Sequence, residues 1–286
     1  MRITDIIKAE KRSLSFEVFP PKTSDKYESV SSAVAEIAKL KPSYMSVTYG
    51  AGGGTSTYTA KIAQEVSSHN VTSLAHLSCI SSTKADIDNQ LNQLTTLNIK
   101  NILALRGDIP VGLDKSELEF HYAFELIDEI KRHGDFCIGG ACYPECHPES
   151  KNQEEDLEYL KIKVDHGCEF LTTQMFFDND IFYSFVDKAT KKGINVPIIA
   201  GIMPITSISQ LDKMVSISGN EIPKKYMSII QKYENDPIAL KDACIDYASE
   251  QAREIYLNGF NAVHIYSMNK PQTAMKISNN LKDLIK

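Results

Sequence analysis

Eight short runs of apolar residues, rich in β-branched and aromatic side chains, recur along these 286 residues, and each closes on polar, chemically capable side chains. They cover residues 13–19, 44–50, 71–79, 101–108, 136–143, 170–177, 197–203 and 262–268. Such runs read as strands buried on both faces, the pattern of a parallel sheet covered by helices. Seven stretches with helical patterning separate them. Eightfold strand–helix alternation predicts an α/β fold of the closed (β/α)₈ type, the TIM barrel, which takes about 250 residues and carries its active site at the carboxyl ends of its strands.

The polar residues at those ends therefore form one set: Glu17, Thr48, His76, Arg106 with Asp108, Tyr143 with His147, Gln174 and Tyr266. Taken singly, each could be a strand exit meeting water. Together they line a barrel mouth with an acid, an arginine–aspartate pair, two histidines and an amide, which suits a large polar ligand.

Composition narrows the ligand class. The formal net charge is −6, with no basic cluster long enough to form a stripe, so nucleic acid is not the expected partner and a small metabolite is. No segment approaches the ~20 apolar residues of a membrane span and no secretory leader is evident, so the chain reads as cytoplasmic. Six cysteines are too sparse for a disulfide scaffold, and several fall inside apolar runs, where reduced thiols behave as small hydrophobes. Cys142, Cys146 and His147 invite a metal reading, but no second pair has zinc-site spacing, and no metal is expected.

No linker, low-complexity tract or repeat divides the chain, so residues 1–286 read as one catalytic domain. Its last βα unit looks elaborated: about 58 residues separate the seventh and eighth runs, with a break at Gly219-Asn-Glu-Ile-Pro, a longer helix over 238–258 and Pro223 suited to a first helical turn. A closing helix is expected over 270–284. Gly50-Ala-Gly-Gly-Gly-Thr55 fails both the dinucleotide fingerprint and the P-loop pattern, and reads as a flexible loop at the barrel mouth.

Ser15-Phe-Glu-Val-Phe-Pro-Pro-Lys22 resembles the opening signature of methylenetetrahydrofolate reductases. Val47-Thr-Tyr-Gly50, Ala75-His-Leu-Ser-Cys79, Ala104-Leu-Arg-Gly-Asp108, Ala141-Cys-Tyr-Pro-Glu-Cys-His-Pro-Glu149 and Thr173-Gln-Met-Phe-Phe-Asp178 match that family in order. The resemblance runs from about residue 10 to the end, and the length corresponds to the bacterial type, the catalytic barrel alone. It implies a homo-oligomeric flavoprotein oxidoreductase. FAD would take a hydride from NADH or NADPH and deliver it to 5,10-methylenetetrahydrofolate by ping-pong transfer, giving the 5-methyltetrahydrofolate used in methionine synthesis.

The chemistry agrees, because a methylene bridge between two nitrogens accepts hydride only after one C–N bond opens, which requires a proton on the leaving nitrogen. Glu17, among Phe16, Val18, Phe19, Pro20 and Pro21, is the candidate acid, since apolar surroundings raise a carboxyl pKa. Asp108 is the second catalytic candidate, placed by the resemblance near flavin and folate, with a plain Arg106–Asp108 pair as the competing account. Gly107 would let backbone approach a planar ligand. The resemblance assigns FAD contacts to Thr48, His76, Arg106, Gly107, Asp108, Tyr122, Ala123, Tyr143, His147, Asp156 and Lys163; Asp156 and Lys163, seven apart, share a helix face. It assigns folate contacts to Glu17, Asp108, Gln174, Gln210, Tyr266 and Lys270.

Two positions depart from the family pattern: Met214 stands where an aromatic ring is expected, and Lys270 where arginine is common. Two other classes fit the same barrel. A flavin-free pterin-binding methyltransferase would need no FAD, and a non-catalytic partner subunit would need no acid.

Overall fold

Along the first strand, side chains alternate between two environments. Leu14, Phe16 and Val18 point into the layer between barrel and helices, where they join a large apolar cluster with Val34, Ile37, Ile265 and Ile277, while Ser13, Ser15 and Glu17 are the alternate, inward set. The computed structural model, which describes residues 1–49, 56–109, 118–218 and 222–285, repeats this arrangement around a closed barrel. Its strands are β1 (Ser13–Val18), β2 (Met45–Val47), β3 (Ser73–Ser78), β4 (Asn101–Leu105), β5 (Cys137–Cys142), β6 (Phe170–Thr173), β7 (Ile198–Ile202) and β8 (Ala262–Ile265). Each pairs in parallel with the next, and β8 closes on β1.

The helices are α1 (Ile3–Ala9), α2 (Tyr27–Ala38), α3 (Ser56–Ser68), α4 (Lys84–Thr96), α5 (Ala123–His133), α6 (Gln153–Asp165), α7 (Asn179–Lys191), α8 (Ile208–Ser218), α9 (Lys224–Tyr233), α10 (Pro237–Leu257) and α11 (Pro271–Asn280). All eight expected strands are present. β2, β4, β6 and β8 end three or four residues before the apolar pattern does, because the chain leaves the ladder at the barrel mouth, and the other four end one residue before it. The extra helices α8, α9 and α10 lie between β7 and β8, as the spacing indicated, so the seventh unit is the extended one and the last holds only α11. Pro223 caps α9 from outside, with φ −60° and ψ 145°, instead of sitting in its first turn. The closing helix stops at Asn280, short of 284. Residues 50–55 and 219–221 lie outside the described residues.

One element had no sequence expectation. Helix α1 lies across the amino-terminal end of the barrel, with Ile3, Ile6 and Ile7 packed against the first inward side chains of the strands, including Tyr44, Leu74, Leu103, Phe170 and Ile199. Arg2 anchors it through Asp135 at 2.7 Å and Glu169 at 2.8 and 2.9 Å, and Asn101 Oδ1 accepts from Ile3 N at 2.9 Å. Each buried isoleucine contributes about 1.5–3 kcal/mol. The plug leaves the carboxyl end as the open mouth.

Candidate active site

Above that apolar floor the barrel interior turns polar. The alternation that points Ser15 and Glu17 inward on β1 does the same for Ser46 on β2, His76 on β3 and His264 on β8, and the register sets Glu17 opposite Ser46 and Ser15 opposite His264. A cavity of about 250 Å³ opens there, lined by Glu17, Thr48, His76, Tyr143, Gln174 and Tyr266. His264 and Thr172 share its wall.

Glu17 is 6% exposed, and burial pushes its carboxyl pKa up to about 8 against a partial offset from its hydrogen bond with Ser46. His76 Nε2 stands 3.8 Å from Glu17 Oε2. Burial takes that imidazole down to about 3, so at neutral pH the contact joins a protonated acid to a neutral ring and is not an ion pair. The Tyr266 hydroxyl donates to Thr173 O at 2.5 Å. Gln174 Oε1 accepts from Met175 N at 2.9 Å, which leaves the amide NH₂ as its free end. The buried Thr172 hydroxyl has no hydrogen-bond partner among the described residues, an orphan that a polar ligand would satisfy.

A second cavity, about 280 Å³, adjoins the first at Ala141 and Tyr143. Arg106, Tyr122, Ala123, His147, Asp156 and Lys163 line it, with Ile80, Leu118 and Leu160 as apolar surface. Helix α5 opens against this space through Ala123 and Phe124, so its positive end faces the cavity. Tyr122 stacks on Tyr159 at 5.6 Å, giving an aromatic face at the rim. Lys163 Nζ donates to Ala141 O at 2.6 Å, and burial lowers its pKa. Asp156 accepts from His147 N at 3.0 Å, tying the loop after β5 to α6; burial raises the Asp156 carboxyl and lowers the His147 imidazole.

The residues assigned to FAD thus divide between the two cavities, Thr48 and His76 lying beside Glu17 in the smaller one. The arginine does not pair with Asp108. Arg106 makes a bidentate bridge to Glu149, 2.6 Å for each bond, because the loop after β5 carries that carboxylate across to β4. Asp108 is exposed and lines neither cavity. Gly107 is required for a reason other than ligand approach: its φ is +88°, and a Cβ would sit 2.1 Å from Ser78 Oγ. Gln210 and Lys270 also stand outside both cavities, joined through Thr206, whose hydroxyl accepts from Lys270 at 2.9 Å and donates to Gln210 Oε1 at 3.1 Å. Met214 packs with Met203 and Tyr266 against an apolar cluster that includes Met175 and Ile205. No group of three or more His, Cys, Asp or Glu side chains able to hold a metal occurs among the described residues. Ser46, His264 and Glu149 were absent from the expected site. Inward parity with Glu17 and Tyr266 would have found the first two; Glu149 carries no such signal.

The family model of methylenetetrahydrofolate reductase matches residues 2–282. The 5,10-methylenetetrahydrofolate reductase of Escherichia coli strain K12 is 33% identical, the alignment covering 94% of this chain and 90% of that protein. Methylenetetrahydrofolate reductase (NADH) 1 of Arabidopsis thaliana is 34% identical over 98% of this chain and 51% of its own length, so the chain spans about half of that relative. Among solved structures, an uncharacterized Clostridium thermocellum protein that binds two copies of 5-methyl-5,6,7,8-tetrahydrofolic acid superposes with TM-score 0.66 over 99% of this chain and 100% of that one, at 15% identity, which supports the fold alone. With a family match over nearly its full length and one third of its residues shared with bacterial enzymes, the chain belongs to the methylenetetrahydrofolate reductase family.

Proposed function

We propose that this chain reduces 5,10-methylenetetrahydrofolate to 5-methyltetrahydrofolate, with FAD as cofactor and NADH or NADPH as hydride source, and that the barrel acts as one catalytic unit. The observation that carries the reading is Glu17, a buried carboxyl at the wall of an open cavity that keeps its proton at pH 7. Opening the methylene bridge needs a proton on a leaving nitrogen, and an acid with pKa near the working pH both holds that proton and releases it.

The larger cavity fits FAD by its chemistry: the cations Arg106 and Lys163 and the α5 amino terminus suit phosphate, and Tyr122 with Tyr159 suits an aromatic ring. Tyr143, His147 and Ala123 complete that wall, and Asp156 orients His147. Thr48 and His76 would meet the part of the cofactor that reaches the smaller cavity. When bound, FAD supplies two-electron hydride chemistry that no side chain has. Gln174 and Tyr266 would hold the pterin, with the amide NH₂ and the orphan Thr172 hydroxyl matching its polar edge. Lys270 and Gln210, joined through Thr206 outside both cavities, would meet the carboxylated tail of the folate. Gly107 and Asp108 follow β4 and line neither cavity.

The test separates two half-reactions. In Glu17→Gln, flavin reduction by NAD(P)H stays within a few-fold of wild type, while folate reduction falls by roughly 10²–10⁴ in stopped flow. Equal loss in both steps would make Glu17 structural. Steady-state rates should give parallel double-reciprocal lines, since both substrates would use one pocket in turn. A colourless purified protein that takes up no added FAD would favour the flavin-free pterin-binding alternative.

A further inference from the structure

In His147-Pro148-Glu149-Ser150, after β5, the proline stands second, where its fixed φ suits the first central position of a β-turn, and Ser150 N closes the turn by donating to His147 O at 2.9 Å. Closure brings the third residue back over the first. Glu149 N donates to His147 Nδ1 at 3.1 Å, an imidazole counterpart of the bond by which Asn and Asp side chains take a main-chain N–H two residues on. A main-chain N–H can only donate, so Nδ1 keeps its lone pair and the neutral ring carries its hydrogen on Nε2. Burial, by lowering the His147 pKa, favours that neutral ring. The ring lines the larger cavity, and its Nε2 has no hydrogen-bond partner among the described residues. Asp156 fastens the turn to α6 by accepting from His147 N at 3.0 Å.

The side chain of Glu149 reaches the other way, to the residue that follows β4. Its two carboxylate oxygens each take one N–H from a terminal nitrogen of Arg106 at 2.6 Å, and Arg106 Nε donates to Gly107 O at 3.1 Å. Three of the five guanidinium hydrogens are thereby committed and the plane of the group is fixed, which leaves one N–H on each terminal nitrogen at the cavity wall. We infer that Glu149 is a positioning residue for the cofactor: from one turn it presents two donors to the larger cavity, the Nε2–H of His147 through its main chain and the guanidinium of Arg106 through its carboxylate. The inference rests on the reading of that cavity as the FAD site. Both donors suit acceptor oxygens of a phosphate, a hydroxyl or a ring carbonyl. A long side chain held in place beforehand loses less entropy on binding, and pairing with Arg106 offsets the charge by which a lone carboxylate would repel phosphate.

The test reads FAD affinity of the purified protein from recovery of flavin fluorescence on dilution. Glu149→Ala should weaken binding by about 3- to 30-fold. In an Arg106→Met background the same change should weaken it by less than about twofold, because the carboxylate has nothing left to hold. Glu149→Gln, whose amide oxygen accepts from one terminal nitrogen, should recover part of the loss. Since 54% of the Glu149 side chain is exposed, the urea midpoint without added FAD should barely move in Glu149→Ala, which separates positioning from a structural role. Unchanged affinity in Glu149→Ala, or an equal loss in the Arg106→Met background, overturns the inference. Tighter binding overturns it too, by showing that the carboxylate competes with the cofactor for Arg106. Nitrogen NMR of the histidines, with His147 assigned from the resonances lost in His147→Gln, reads the other donor. Nε2–H with a bare Nδ1 is expected in wild type and in Glu149→Ala, whose main chain is the same, and Nδ1–H overturns it. Wild type that takes up no FAD would overturn the cofactor reading and this inference with it, whereas binding that ignores Glu149 overturns this inference alone.

Discussion

Lys163 combines a bond within the fold with a place in a cavity wall. Its stem crosses the larger cavity wall and its ammonium makes one 2.6 Å bond to Ala141 O, which leaves two of three donors for an anion. Hydrogen bonds to charged groups contribute about 1.5–3 kcal/mol, so Lys163→Met should weaken FAD binding by about 10- to 100-fold, read from recovery of flavin fluorescence on dilution. Retained affinity would leave Lys163 with its structural bond alone. The exposed Asp108 carboxylate is screened by water, and Asp108→Asn should change flavin affinity less than Lys163→Met in the same assay. Glu17 and Asp108, two strand-end carboxylates alike in sequence, are thus separated by burial, which raises one to about 8 and leaves the other facing solvent.

At the scale of elements, two contacts decide whether the barrel presents its site correctly. On β7, a Cβ at Gly201 would sit 2.3 Å from Thr173 O and 2.6 Å from Tyr266 Oη, so β6, β7 and the residue after β8 meet only because this position has no side chain. Gly201→Ala should cost about 1–3 kcal/mol and raise KM for the folate, while flavin affinity, which would rest mainly on the larger cavity, changes less. Chemical denaturation and steady-state rates check both parts. At the opposite end, α1 closes the barrel with Ile6, 3% exposed. Ile6→Ala should destabilise by about 2–5 kcal/mol with kcat nearly unchanged, because the cavity it leaves is on the far side of the barrel from Glu17. A large loss of kcat without loss of stability would tie the plug to the site.

Across the whole molecule, buried titratable groups give stability opposing pH dependences. Glu17 rises from 4.5 to about 8 on folding, so the folded state binds more protons than the unfolded one over that range, and its contribution, complete below 4.5, is lost as pH climbs toward 8. His76 and His264 fall from 6.5 to about 3; theirs is present above 6.5 and lost as pH drops toward 3. Urea midpoints of wild type and Glu17→Gln at pH 5.5, 6.5 and 7.5 should therefore diverge in favour of the variant by up to about 1.4 kcal/mol per pH unit. A constant difference would mean that Glu17 ionises normally in the fold.

The barrel was legible in the sequence because both faces of every strand are buried, and continuous apolar runs record that directly. That Glu17, Thr48, His76, Tyr143, Gln174 and Tyr266 would line one cavity was legible because strand ends in such a barrel converge on one mouth. What the chain order does not record is who meets whom across the barrel. Arg106 meets Glu149 instead of Asp108 because two loops from different strands are brought together, and Thr48 and His76 join Glu17 because their strands are neighbours. Helix α1 escaped notice because three isoleucines in seven residues carry little periodic signal until a barrel end is there to receive them. His264 was hidden for a related reason: a histidine inside an apolar run meets Ser15 only when closure sets β8 beside β1. Local pattern determined the elements and the residues available at their ends; ring closure and its register decided the pairs.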